Sequence, residues 1–510
     1  MSEPQAGGGA AGGGSAGRHG LAELIGERRA KAARLAEAGV TVPYSYPGTQ
    51  PIAEVRAACE QLASGQETDE MRRISGRIAA RRGAGRAAFI DLFDRSGSIQ
   101  LHARLDVLGQ AVFDQLASLD LGDVIGVDGA LMRARNAGEP TLRVHRFALL
   151  AKALRPPPDK HAGLTDVETR HRRRELDLIA NGEVRALFAR RAKLLRSLRE
   201  SLDEDGFIEV ETPVLQPLYG GALARPFVTH HNALEQDLYL RIAPELYLKR
   251  LIVGGLERVY ELGKDFRNEG TSTKHNPEFT MVEWYEANAD YLDEAARLEA
   301  MLRSAAEAVG CDGEADFSAR WRRVSFTEAV REATGIDLSQ LRQRDELAEA
   351  VLGAGLLQES QLTGASWPQI ADELLSKHVE PTLIQPTFVL DYPIELSPFA
   401  RAHRSDARLA ERWEAFAGGM EIANAFSELT DPDEQRKRFD AQRALAIAGA
   451  AEAQPHDELF LQALELGMPP TGGVGLGVDR LMMVLSGASS IREVVLFPAL
   501  RTGSGDVGCW

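Results

Sequence analysis

The chain has 510 residues with 59 Lys+Arg against 75 Asp+Glu, a formal charge of −16, and 44% hydrophobic and 26% charged content. That is the composition of a globular protein of roughly two to four domains, and an acidic total argues against attachment to nucleic acid by bulk positive charge. No run of 18 apolar residues suggests a membrane span, and the start MSEPQAGGGAAGGGSAG lacks the charged and apolar stretches of a secretory signal. Cys59, Cys311 and Cys509 form no CxxC pair, so neither a disulfide framework nor a zinc site is indicated, and a reducing cytoplasm is expected.

Residues 1–20 read as a disordered tail, because Gly and Ala bury too little apolar surface to offset ordering. Residues 21–67 form a helical extension, with Leu21, Leu24, Ile25, Ala32 and Leu35 on an amphipathic helix before Pro43, Pro47 and Pro51 break it. From 68 to 156 the period changes to two. Ala88, Ile90 and Leu92 alternate with Phe89, Asp91 and Phe93, and Ile99, Leu101 and Ala103 with Gln100, His102 and Arg104. Arg95-Ser96-Gly97 turns between these runs. Further strands at 123–132 and 141–150 make a small OB-type β-barrel the expected fold. Residues 69–156 carry 14 Lys+Arg against 10 Asp+Glu, a balance of +4 inside an acidic chain. RRISGRIAARRGAGR (72–86) has six arginines and no acid. Beside an exposed ring and an exposed amide, they suit a single-stranded nucleic acid, with arginines on phosphates and a ring under a base.

ALRPPPDK (153–160) reads as a stiff linker and 168–204 as one helical stretch. Three motifs follow. Gly206-Phe207-Ile208-Glu209-Val210-Glu211-Thr212-Pro213 is a helix-to-strand junction. YELGKDFRNEGTSTKHNPEFTMVEWYEA (260–287) is strand, polar loop, strand. GGVGLGVDRLMMVL (472–485) places Gly473, Gly475 and Gly477 on one strand face before Asp479-Arg480 opens a helix, so a flat ligand could lie on bare backbone.

In this order the three resemble motifs 1, 2 and 3 of the class II aminoacyl-tRNA synthetases. GGALARPFVTHHNALEQDLYLRIAPELYLKRLIVGG (220–255), PTFVLDYPIELSPFAR (386–401), MEIANAFSEL (420–429) and IREVVLFPALR (491–501) are similar to the lysine-specific branch, over about residues 68–501. The resemblance implies an α+β chain: an OB-fold anticodon-binding domain at 68–156, then a catalytic domain at 157–501 built on an antiparallel sheet flanked by helices. The tail 502–510 has no counterpart. It further implies a homodimer through motif 1, ATP as substrate, Mg²⁺ as cofactor, and L-lysine and tRNA(Lys) as partners.

By the same resemblance, Arg267 bridges the lysine carboxylate and the α-phosphate. Glu269 meets the adenine amino group, Phe279 and Arg480 sandwich the ring, and His275 approaches the terminal phosphates with Arg480. Glu414 and Glu421 match metal ligands. Gly221 and Glu245 match the α-ammonium contacts, and Glu283 and Glu428, helped by Tyr285, those of the ε-ammonium, while Asn424 and Phe426 line the pocket. Arg82, Phe89 and Gln100 match anticodon contacts. An aspartate-selecting site would need cations where Glu283 and Glu428 stand. Glu175 replaces a usual aromatic, and Ala423 and Ala425 stand where some members have glycine.

Overall fold

The computed structural model describes residues 14–83, 85–135, 138–158, 163–447 and 454–501. The tail 502–510 and the first 13 residues of the Gly/Ala-rich start lie outside them. The chain divides into two compact units, Met1–Arg185 and Ala186–Trp510.

The first unit is a closed barrel of β1 (Glu67–Arg82), β2 (Ala87–Phe93), β3 (Ser98–Arg104), β4 (Val124–Arg133) and β5 (Pro140–Ala151), in the order β1-β2-β3-β5-β4. Only β3 and β5 run parallel. Alternation works as expected: Ile90, Leu92, Leu101 and Ala103 are buried in the barrel, while Phe89, Gln100 and His102 lie on its outer side. The helix Ile52–Glu60 adds Ile52, Val55 and Cys59 to the same core. The amphipathic helix runs over Gly14–Glu37, starting inside the segment read as a tail. The stretch 168–204 is three helices rather than one: Val167–Arg172, Arg174–Ala180 and Gly182–Glu204. Arg173 and Asn181 leave helical geometry. Buried Asp177 gathers Arg170, Arg174 and Asn181 around these breaks. Glu175 pairs with Arg173 at 2.5 Å on the surface, so no aromatic is needed there.

The second unit contains β6 (Ile208–Glu209), β7 (Leu215–Gln216), β8 (Val228–His231), β9 (Gln236–Leu240), β10 (Arg258–Phe266), β11 (Glu278–Ala287), β12 (Arg322–Ser325), β13 (Thr387–Leu390), β14 (Arg412–Ala417), β15 (Met420–Ser427) and β16 (Thr471–Gly477). Eight of them form one sheet, β12-β13-β14-β15-β16-β11-β10-β6, and β7, β9 and β8 form a small second one. The large sheet is antiparallel from β13 to β10, with one parallel pair at each edge. One face buries Val282, Trp284, Trp413, Val474 and Leu476 against the helices Tyr291–Val309 and Val478–Ser486. That face carries the main core. Residues 324–383 hold a core of their own around Phe326, Val330, Leu347 and Leu374. The opposite face is left for the site.

Candidate active site

A cleft of ≈ 390 Å³ lies over β11, β15 and β16 on the face away from the main core. Strand alternation builds it. On β11, Phe279, Met281, Glu283 and Tyr285 face the cleft while Val282 and Trp284 enter the core. On β14 and β15, Arg412, Glu414, Asn424 and Phe426 face it, Trp413, Ala415 and Ala425 point into the core, and Ala423 packs in the core while bordering the cleft. Of the two alanines in place of glycine, Ala425 lies off this wall.

On β16, Gly473, Gly475 and Gly477 line the cleft. They are not bare along the whole strand. A Cβ on Gly473 would run into the Tyr285 ring and the Glu428 carboxylate, and one on Gly475 would press Met281 at 3.3 Å. Beside Gly477 the nearest atoms are 3.5 Å or more away. The platform expected for a flat ligand is thus open only toward Gly477 and Arg480. At Gly473 the missing side chain lets two functional side chains close over the strand.

The cationic end of the cleft is built from the β10–β11 loop and the helix after β16. The Arg267 backbone N–H donates to Pro277 at 2.9 Å, closing the base of the loop. Its guanidinium lies 5.0 Å from the centre of the Phe279 ring, and its buried Nε has no acceptor among the described residues. Glu269 is exposed at the cleft mouth. Arg480 donates to His275 Nε2 at 2.9 Å and to Glu421 at 2.9 Å. His275 Nδ1 meets the Ser272 hydroxyl at 2.8 Å. Burial, then the neighbouring Arg480 charge, holds the His275 pKa below its usual range, so the ring is neutral and accepts from Arg480 on Nε2.

Glu414 is held by Arg412 and by the Tyr392 hydroxyl at 2.8 Å. Burial raises its pKa, with Glu421 adding repulsion against the pull of Arg412. Glu414 and Glu421 at the cationic end are a hard oxygen donor set, whose chemistry fits Mg²⁺. Among the described residues no group of three or more His, Cys, Asp or Glu is arranged as a complete metal cage.

The acidic end is deeper. Glu245 begins the helix Glu245–Val253 and is 4% exposed. Gly221, at φ +91°, packs directly on it, and any Cβ there would press the Glu245 side chain. Buried Gln454 accepts from the Gly221 N–H at 3.2 Å and donates to the Ala222 carbonyl, pinning that loop. Glu283 is 7% exposed. Burial drives its pKa well up, and Asp265 and Glu245 push the same way. Tyr285 reaches Glu283 at 3.4 Å. Asn424 accepts from Arg412 at 3.1 Å, and Phe426 packs by the same guanidinium. Glu428 stands behind the wall, its Oε1 against the Gly473 backbone. Sequence reading missed Lys249, Gln454 and Arg412. A Glu245/Lys249 pair at i, i+4 was visible, but that spacing is usual for a surface pair.

On the barrel, Arg82, Phe89 and Gln100 share one concavity with His102. Phe89 stacks on His102 with centroids 4.7 Å apart and planes 5° apart. Gln100 accepts from the Thr141 hydroxyl at 3.3 Å. The arginine run is largely engaged inside the barrel. Arg73 grips Asp128 with two bonds, Arg77 caps the Gly122 carbonyl, Arg81 the Leu119 carbonyl, and Arg82 meets Asp91 at 3.0 Å. Four of the six arginines thus use part of their donor fork to tie strands and loops of this unit together.

Residues 166–501 match the family "tRNA synthetases class II (D, K and N)", and residues 73–150 match an OB-fold nucleic acid binding domain. The chain is 48% identical over 488 residues to the lysine–tRNA ligase of Moorella thermoacetica, covering 94% of this chain and 98% of that one. It is 50% identical to that of Roseiflexus castenholzii over 94% and 99%, and 48% identical to that of Chloroflexus aurantiacus over 95% and 100%. With its barrel, its glycine-walled cleft and these likenesses along nearly the full length, the chain belongs to the lysine–tRNA ligases of the class II tRNA synthetases.

Proposed function

We propose that the chain joins L-lysine to tRNA(Lys) in two steps at the cleft. A lysine carboxylate oxygen attacks the α-phosphorus of ATP. The new O–P bond forms as the bond to the bridging oxygen breaks, giving lysyl-adenylate and pyrophosphate. A ribose hydroxyl of the terminal adenosine then attacks the activated carbonyl and AMP leaves. The substrate supplies both nucleophiles, so the protein's work is alignment and charge stabilisation.

One observation carries this reading. A single glycine-bearing wall joins a cationic end, Arg267 and Arg480, to an acidic end, Glu245 and Glu283. Arg267, with an unused buried donor, is suited to hold the carboxylate against the α-phosphate. Neutral His275 and Arg480 are suited to the terminal phosphates, and Phe279 and Glu269 to the base. Glu414 and Glu421 would hold Mg²⁺, which supplies charge neutralisation on the phosphate oxygens when bound. Glu245 with the Gly221 carbonyl suits the α-ammonium. Glu283, Glu428 and Tyr285 suit the ε-ammonium, between the walls made by Asn424 and Phe426. A substrate with an acidic side chain would meet repulsion there.

Phe89, Arg82 and Gln100 suit the anticodon, with Phe89 offering its ring to a base. Among the described residues no helix is long and apolar enough to cross a membrane, and we place the protein in the cytoplasm with its tRNA. Exposed Ile208, Val214, Leu215 and Val228 around the first motif support a homodimer. The decisive test is ATP–pyrophosphate exchange with each amino acid in turn. Lysine-dependent exchange is expected; exchange driven by aspartate or asparagine and not by lysine would refute the reading.

A further inference from the structure

Glu245 and Glu428 come from different elements, yet one side chain joins them. Lys249 lies one helical turn after Glu245, fully buried. Its ammonium stands 2.6 Å from Glu245 Oε1 and pairs with Glu428 Oε2. The rings of Phe399 and Tyr285 flank it, with centroids 5.0 and 6.0 Å away. Glu245 and Glu428 thus share one resident ammonium, and Glu283 is close enough to Glu245 to repel it. A lysine substrate brings two ammonium groups.

Of the carboxylate oxygens that Lys249 leaves free, that of Glu245 borders the cleft and that of Glu428 lies just behind its glycine wall. A Cβ on Gly221 would lie 3.5 Å from Glu245 Oε2, and one on Gly473 would meet Glu428 Oε1. Both glycines line the cleft. Glu428 Oε1 is buried with no hydrogen-bond donor among the described residues. Burial raises the pKa of both Glu245 and Glu428 against the pull of Lys249, and without the ammonium they would be two unrelieved buried like charges that take up a proton more firmly. A protonated carboxyl holds an ammonium poorly. The other titratable groups facing this pair are Glu283 and Tyr285 from β11 and Glu294 from the helix Tyr291–Val309. None of these is a cation that could replace Lys249.

We propose that Lys249 is a positioning residue for amino-acid selection, favouring the ionised forms of Glu245 and Glu428 against their burial and fixing both carboxylates at the amino-acid end of the cleft. The proposal rests on the lysine-activating reading above. Lysine-dependent exchange by the unmodified protein tests that reading first and separately.

Lys249→Met keeps the side-chain length and removes the charge. In the exchange assay the lysine KM is expected to rise at least about tenfold near neutral pH, while the ATP KM stays within about twofold. The ratio of variant to unmodified lysine KM should then fall as pH is raised from about 6.5 to about 8.5, because the protonated carboxyl ionises again. Taking the ratio cancels the ionisation of free lysine. Lys249→Gln, which retains a donor without charge, should show the same split if Lys249→Met fails to fold. A lysine KM within twofold of the unmodified protein, an ATP KM rising in parallel, or a ratio independent of pH would overturn the proposal. So would failure of both variants to fold, which would make Lys249 a folding residue.

Discussion

Gly473 is where a single missing side chain has the largest consequence. Its backbone is approached by the Tyr285 ring and the Glu428 carboxylate at once. Gly473→Ala forces one of them away, an overpacking of about 1–3 kcal/mol. The expected result is a lower melting temperature and a raised lysine KM, with a smaller change in the ATP KM. Arg267 makes the contrasting case. Its Nε has no acceptor among the described residues, so Arg267→Ala should cost little stability and reduce pyrophosphate exchange by at least about 100-fold. Near-normal exchange would remove Arg267 from the site. Both residues were legible in the sequence, Arg267 from its motif and Gly473 from its spacing. The reason for the glycine was not: spacing shows a bare strand face, and only packing shows that neighbours fill it.

At the scale of elements, β11 sets the division between chemistry and core. Its odd-numbered residues from Phe279 to Tyr285 face the cleft, and Val282 and Trp284 face the helices. The Trp284 indole donates to Glu294 at 2.7 Å, tying the strand to the helix Tyr291–Val309. Burial pushes the Glu294 pKa up to about 8 against the pull of Trp284 and Arg297. A carboxyl titrating higher when folded than its unfolded value of about 4.3 binds its proton more tightly in the native state. The protein therefore loses stability as pH rises between those two values, and the loss is complete above the folded one. Glu294→Gln is expected to melt near the unmodified protein at about pH 5 and a few degrees above it at about pH 9. Melting curves whose difference does not change with pH would count against the assignment. Strand positions and their two faces could be read from periodicity. The breaks at Arg173 and Asn181 could not, because a charge network around Asp177 makes them.

For the whole molecule, the charge of −16 conceals a division of labour. The barrel region holds the positive excess, and buried acids gather at the cleft. Since four of the six arginines in the 72–86 run also bind groups of their own unit, recognition there should depend more on the Phe89–His102 stack than on net charge. Burial, followed by Arg104, lowers the His102 pKa, so the stack presents two neutral rings. Phe89→Ala should weaken tRNA charging at limiting tRNA by about tenfold, in line with about 1–3 kcal/mol for a stacked base. Exchange without tRNA should be unchanged, and equal loss of both activities would refute a barrel-specific role.

What the sequence determined by itself was local and periodic. Strand alternation, helix spacing and turn glycines follow from neighbours along the chain, so the barrel strands and the three motifs could be read directly, while the sheet strands between 322 and 427 could not. The tertiary structure decided which charges meet. Lys249 lies far from Glu428 in sequence, and a Glu–Lys pair one turn apart resembles any exposed helix face. Burial makes that pair, with Glu428, a fixed charge cluster beside the cleft, because low-dielectric surroundings make each unpaired charge costly and each partner decisive.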